Sequence, residues 1–239
     1  MAPPSTSHTI EPTTPHTHTI IFLHGRGSTA STFCSEIFES QDSSSAFFTI
    51  LFPSLKWVFP LAPKRYSPSE QEEMHQWFDM SYVQRPQENH DIQREGLWNS
   101  VSQILKIVEE EGEIVGTQNL ILAGISQGCA TAIFALLASG TRVGGFVGLC
   151  GWLPLKDEIV GVMNVLRRVR DVLETPVLLQ HCEDDEVVPV ENGEGLAVQL
   201  KQCGMSVRWQ RFEDGGHWLN EPKGMDGVVD FIEGVMKAS

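Results

Sequence analysis

Gly124-Ile125-Ser126-Gln127-Gly128 is the stretch on which the reading of this chain turns. It follows the apolar run Asn119 to Ala123, which has strand character, and opens the segment Gln127 to Ser139, which has helix character. A serine between two glycines in that setting describes a sharp strand-to-helix corner. The glycines let neighbouring backbone approach without a Cβ clash, and the serine is left on the exposed, strained position. Its Oγ then lies beside a helix N-terminus, where the first amides lack intrahelical partners and the dipole favours negative charge. Ser126 is thereby a candidate nucleophile.

Outward from this corner, strands and helices alternate. Thr19 to Leu23 is a β-rich run that ends in the glycine loop His24-Gly25-Arg26-Gly27. Phe47 to Phe52 and Trp57 to Leu61 are further expected strands, each punctuated by proline. Ile92, Leu97, Val101, Ile104, Leu105 and Val108 recur at helical spacing, so a helix is expected over 91–111, ended by Gly112. Strands are expected over 143–149, 176–180 and 206–212, and helices over 157–173, 191–202 and 224–236. Strands alternating with helices imply βαβ units, and strands that are apolar throughout imply burial on both faces. The fold class is α/β, with a mainly parallel central sheet and helices on both faces. No linker divides the chain, so residues 17–239 form one expected domain. Residues 1–16, with prolines at 3, 4, 12 and 15 and few apolar residues, are expected as a disordered N-terminal tail. His8, His16 and His18 are expected to be solvated there.

Composition excludes several classes. Among 239 residues 41% are hydrophobic, enough for one core, and the net charge is −14. No Lys/Arg cluster offers a nucleic-acid surface or a hold on anionic membranes. No apolar run reaches the ~18 residues of a membrane span. The first residues lack the basic and apolar regions of a secretory signal. The five cysteines (34, 129, 150, 182 and 203) form no C-x-x-C pair, which argues against a disulfide framework, a zinc site or a redox motif. A soluble, reduced, cytoplasmic setting is expected.

A serine hydroxyl is a weak nucleophile and needs a base, which needs an orienting carboxylate. Downstream of Ser126 the histidines are His181 and His217. His217 ends the loop Glu213-Asp214-Gly215-Gly216-His217 after the last expected strand, and is the candidate base. His181 leaves the strand 176–180 one element too early and is expected to be a packed strand-end residue. The loop that follows offers Glu183, Asp184, Asp185 and Glu186; the apolar Val187-Val188-Pro189 behind them selects Asp185 as the one turned inward. Consecutive acids do not have the spacing of a calcium loop, so no metal is expected. An oxyanion hole needs two convergent backbone amides; Gln127 supplies one, and Arg26 in the first glycine loop supplies the other. His24 is expected to cap that loop rather than to react.

Seven segments together resemble the acyl-protein thioesterase and small carboxylesterase (phospholipase/carboxylesterase) family of α/β-hydrolases. They are Phe22 to Gly27, Pro60 to Pro63, Gln76 to Asp79, Gly124 to Gly128, Cys150 to Leu155, His181 to Pro189 and Gly215 to His217. The resemblance implies a serine hydrolase that cleaves carboxylic esters or thioesters, of small molecules or acylated proteins, through an acyl-enzyme and without a cofactor. It implies catalytic Ser126, Asp185 and His217, with oxyanion amides on Arg26 and Gln127. The chain departs from the family pattern at Cys129, Cys182 and Trp218, and its stretch 156–174 is longer. Phe33, Trp77, Trp152, Leu153 and Trp218 are candidates to line an acyl groove, and the helix expected over 156–173 is a candidate lid. The alternatives are a non-catalytic ligand-binding module on the same scaffold, for which loss of the three reactive residues would be the sign, and an acyltransferase using the same site.

Overall fold

In the computed structural model of the chain, which describes residues 7–86, 88–156, 158, 159, 161 and 169–238, Leu120–Ile125 is the middle strand of a seven-stranded sheet. In chain order the strands are β1 (Ser7–Ile10), β2 (His18–Leu23), β3 (Leu55–Pro60), β6 (Leu120–Ile125), β7 (Gly145–Leu149), β8 (Val177–Cys182) and β9 (Val207–Phe212). Their spatial order is β1-β3-β2-β6-β7-β8-β9. All neighbours are parallel except β1, which runs antiparallel to β3. A hairpin of β4 (Lys64–Ser67) and β5 (Glu72–His75) stands apart from the sheet.

Period-two alternation sorts the central strands between two cores. Ile21, Leu23, Leu120 and Leu122 face one, and Ile20, Phe22, Ile121 and Ala123 face the other. The first core is closed by α3 (His90–Val115), α4 (Gln127–Ser139), the short α5 (Val169–Leu173) and α6 (Val190–Gln202). The second is closed by α1 (Ala30–Ile37), α2 (Phe48–Leu51) and α7 (Lys223–Ala238). Helices therefore cover both faces, as the uniformly apolar strands require.

Several expectations are corrected. The segment expected as a disordered tail contains β1, whose residues Ser7 to Ile10 pair with Pro60 to Trp57. Four mostly polar residues carry little hydrophobic signal; the backbone ladder recruits them, with Ile10 packed against the second core. His18 is a buried member of β2 bonded to Thr17 Oγ1 at 3.0 Å, not solvated as expected; His16 is half-buried, 2.9 Å from Thr19 Oγ1, and His8 is exposed. The strand expected over 47–52 is a helical turn: Phe48 and Phe52, one turn apart, are both buried and stack at 6.5 Å. A short apolar run does not separate the two periods. Gly112 does not end α3, which runs on to Gly116, where a φ of 85° suits glycine. The helix expected over 157–173 is described only in part: 158, 159 and 161 are helical, with Ile159 buried in the first core, and α5 covers Val169–Leu173; residues 157, 160 and 162–168, on which most of the lid reading rests, lie outside the described residues.

Candidate active site

Ser126 stands between β6 and α4 with φ 55° and ψ −126°, a backbone that side-chain-bearing residues rarely adopt and that costs on the order of 1–3 kcal/mol. The surroundings enforce it. Its N–H donates to the Leu149 carbonyl at 2.9 Å. A Cβ on Gly128 would collide with the carbonyl oxygens of Leu23 and His24, so only glycine lets α4 leave this close to β2. Gln127 locks the helix start: its Oε1 accepts from the Trp77 N–H at 2.9 Å and its Nε2 donates to the Phe78 carbonyl at 2.8 Å.

The loop after β9 brings in His217. Gly215 and Gly216 have φ of 123° and 61°, and their N–H groups donate to the Asp184 carboxylate at 3.3 and 2.8 Å. Asp184 thus shapes the turn, while its neighbour Asp185 takes the imidazole. His217 Nδ1 donates to Asp185 Oδ2 at 2.7 Å. Asp185 Oδ1 accepts from the N–H groups of Val187 and Val188 at 2.9 and 2.8 Å. The Asp185 side chain is fully buried. Burial alone would raise its pKa, but the hydrogen bonds from His181 and His217, the His217 charge and the Val188 amide outweigh it and hold the carboxyl well below the usual carboxylate range. Because Nδ1 carries the proton given to Asp185, His217 Nε2 is left as the basic nitrogen. His181, expected as a packed strand-end residue, is buried as anticipated, yet it also contacts Asp185.

Ser126 and His217 line one cleft of about 290 Å³. Phe33 and Trp218, in edge contact at 5.9 Å, form part of its apolar wall. Trp77, Trp152 and Leu153 do not line it; they belong to the core under α3 and α4. The Trp77 indole N–H donates to the His24 carbonyl at 2.8 Å, which makes it a strut beneath the loop after β2. Trp152 is fully buried, edge-on to Phe78. Met74 and Val83 complete the wall. Sequence reasoning missed both, because Met74 sits in the polar run Glu72-Glu73-Met74-His75, which only strand pairing turns towards the cleft.

Gly25, Arg26 and Gly27 also line the cleft. The Arg26 side chain turns away to the hairpin, donating to Gln76 Oε1, Ser67 Oγ, Ser69 Oγ and Glu70 Oε1 at 2.6–3.2 Å, while the Gly27 N–H donates to the His75 carbonyl at 2.8 Å. The guanidinium is committed to these partners, and it is Gly25 that lies against Ser126, where an added Cβ would come 3.5 Å from the serine Cβ. His24 is the cap it was expected to be: Nδ1–H donates to the Gly25 carbonyl at 2.7 Å, and Nε2 accepts from the Ala62 N–H at 3.1 Å. Among the described residues, Cys150, His181 and Asp185 bring potential ligand atoms within 4.8 Å of one another. Both Asp185 oxygens are already taken by N–H donors and the Cys150 thiol donates to the Trp218 carbonyl, so the group is a hydrogen-bonded cluster as it stands.

Ser126 at a strained corner, a carboxylate-bound imidazole and a glycine loop are the parts that acyl transfer uses, and each lies at the C-terminal end of a parallel strand. The sequence pattern that defines the phospholipase/carboxylesterase family matches residues 5–236. Acyl-protein thioesterase 1 of Yarrowia lipolytica is 29% identical over 223 residues, spanning 91% of this chain and 90% of that protein. Carboxylesterase SOBER1 of Arabidopsis thaliana is 25% identical over 224 residues, spanning 92% and 91%. Among solved structures, acyl-protein thioesterase 2 of Zea mays shares the fold with a TM-score of 0.79 at 23% identity, over 96% of this chain and 98% of that one. No helix among the described residues is long and apolar enough to cross a membrane. The chain belongs to the phospholipase/carboxylesterase family of α/β-hydrolases.

Proposed function

We propose that the chain hydrolyses carboxylic esters or thioesters, of acylated proteins or small molecules, through an acyl-enzyme on Ser126. His217 Nε2 takes the Ser126 proton as Oγ attacks the acyl carbonyl carbon, and returns it to the departing alcohol or thiol. Water then attacks the acyl-enzyme by the same route. Asp185 holds the imidazole in the required tautomer and stabilises the imidazolium. The amides of Gln127, first residue of α4, and of Arg26 receive the tetrahedral oxyanion. Phe33, Trp218, Met74 and Val83 hold the acyl chain.

The observation that carries this reading is the 2.7 Å hydrogen bond from His217 Nδ1 to the buried Asp185, in a loop that ends at the cleft Ser126 lines. The thiols of Cys34, Cys129 and Cys182 do not compete as nucleophiles: burial pushes Cys34 and Cys182 up to about 11 and Cys129 up to about 12. All five cysteines are free, which supports a reducing, cytoplasmic setting.

The test is a chain-length series of p-nitrophenyl esters beside acyl thioesters, with intact-protein mass before and after a fluorophosphonate. One phosphonyl group per chain is expected, absent in Ser126→Ala, with turnover lost in the same variant. Stoichiometric labelling of Ser126→Ala would end the assignment.

A further inference from the structure

His181 closes strand β8 and is 1% exposed. Its Nε2 lies 3.1 Å from Asp185 Oδ2 and 2.8 Å from the Val188 carbonyl oxygen. Both are acceptors, so this nitrogen carries the proton and shares one N–H between them. Its Nδ1 has no hydrogen-bond partner and faces Gly193 of α6, where any Cβ would collide with it. Trp209 flanks the ring at a centroid distance of 6.4 Å. One tautomer and one orientation are thereby imposed from behind.

We propose, resting on the triad reading above, that His181 is a positioning residue for this site: its Nε2–H and the His217 Nδ1–H grip the same oxygen of Asp185 and hold that carboxylate in line with the base. The grip is closed by Val188, whose N–H donates to Asp185 Oδ1 at 2.8 Å while its carbonyl accepts from His181. Carboxylate, imidazole and peptide thus form a ring in which none moves alone. The four donors have a chemical consequence as well. A carboxylate oxygen with two N–H donors is less basic than one with a single donor, and it stabilises the protonated His217 less. Removing the His181 donor concentrates charge on the bond to His217, so the base stays protonated to higher pH.

The other titratable groups around the pair act more weakly or elsewhere. Cys182 donates to the Trp218 carbonyl, and Cys150, kept protonated by burial, donates there and also turns its thiol to Asp185, where an S–H is a weaker donor than the His181 N–H. Asp184 is engaged with Gly215 and Gly216, Asp214 accepts from Asn220, and Glu36 lies across the cleft. The competing role for His181 is loop support alone, with its N–H serving only the Val188 carbonyl. That role affects stability and leaves the basicity of His217 untouched.

The experiment measures the rate of fluorophosphonate labelling of Ser126 in the full chain from about pH 5 to about pH 9, where an imidazole titrates. Wild type is compared with His181→Leu, His181→Gln, Gly193→Ala and Asp185→Asn. His181→Leu removes the donor; His181→Gln keeps an N–H near the Nε2 position; Gly193→Ala displaces the ring without altering it. In His181→Leu the rate falls roughly ten- to a hundredfold below neutrality, the span of one charge-assisted hydrogen bond. Its acid-limb midpoint rises by about half a unit to one unit, His181→Gln lies nearer wild type, and Gly193→Ala moves the same way as leucine. Should His181→Leu fail to fold, the Gly193→Ala midpoint decides alone. A midpoint that stays put or falls overturns the proposal, as does a His181→Gln profile identical to that of leucine. Asp185→Asn separates this failure from that of the triad itself: only a wild-type rate in that variant removes the triad.

Discussion

Burial holds the His24 imidazole down at about 4, opposed by the hydrogen bond to Gly25 and assisted by nearby His75. Both ring nitrogens serve backbone groups of the loop that carries Arg26, so a second proton on the ring would break the Ala62 contact. The unfolded chain binds that proton near the ordinary histidine value, about 6.5, and the folded chain does not until about 4. Stability from His24 is therefore complete above about 6.5 and drains away as pH falls, by about 2 kcal/mol at pH 5. Urea midpoints at pH 7 and pH 5 check this: His24→Asn, which keeps one N–H donor, is less stable at pH 7 but loses less on acidification. Parallel losses would assign the acid sensitivity to other groups. Asp185 works in a separate window. Its lowered pKa gives stability that is present above the unfolded carboxylate value and lost as pH falls below about 3.9. At this scale the sequence distinguished Asp185 from Asp184 by the apolar residues that follow, and the structure gives them separate partners. It did not distinguish His181 from a packing residue, because spacing cannot tell which carboxylate a buried imidazole will meet.

Elements were legible where a period was long and its ends were marked. The strand-corner-helix of β6 and α4 is announced by the glycines around Ser126, and α3, α6 and α7 by apolar residues at helical spacing. The hairpin of β4 and β5 carried no such signal, with charged Lys64, Arg65, Glu72 and Glu73 making up half its residues. It is nevertheless one wall of the cleft. Arg26 holds it through four side chains, so the loop that offers a proposed oxyanion amide and the hairpin that offers Met74 are fixed to one another. On the function proposed, such a wall would act on substrate length rather than on chemistry. Met74→Ser should raise KM for octanoyl esters about tenfold, the worth of one apolar side chain against an acyl chain, and change kcat/KM for acetate esters by less than about twofold. Equal losses for both esters would mean that the hairpin sets the reacting geometry rather than the groove.

Across the whole molecule, a six-strand parallel sheet poses the problem of its two edges. β9 manages its own edge with charge: Arg208 and Arg211 are exposed, and Arg211 is paired to Glu183 and Glu194 at 2.6 and 2.7 Å. β3 has no exposed charge to do this, because its Lys56 is mostly buried against Glu111 and Trp57, Val58 and Phe59 are buried and apolar. Left uncovered, it would present unpaired N–H and carbonyl groups beside aromatic side chains, a template for association between chains. β1 removes that template by adding one short antiparallel strand whose own residues are Ser7, His8, Thr9 and Ile10, mostly polar. The segment whose composition looked like a tail therefore acts as an edge guard, and its polarity is what that task requires. Deleting residues 1–10 should lower Tm by several degrees, since about 1 kcal/mol moves Tm by ~2–4 °C at this size. Light scattering on holding at micromolar concentration should rise in the same variant. No β1 residue lines the cleft, so the rate of Ser126 labelling in freshly purified monomer should stay within about twofold of wild type. A shortened chain as stable and as monomeric as the full one would mean that β3 needs no cover. A shortened chain that stays folded but labels slowly would tie β1 to the site instead, through the strand it shares with β2 and the glycine loop.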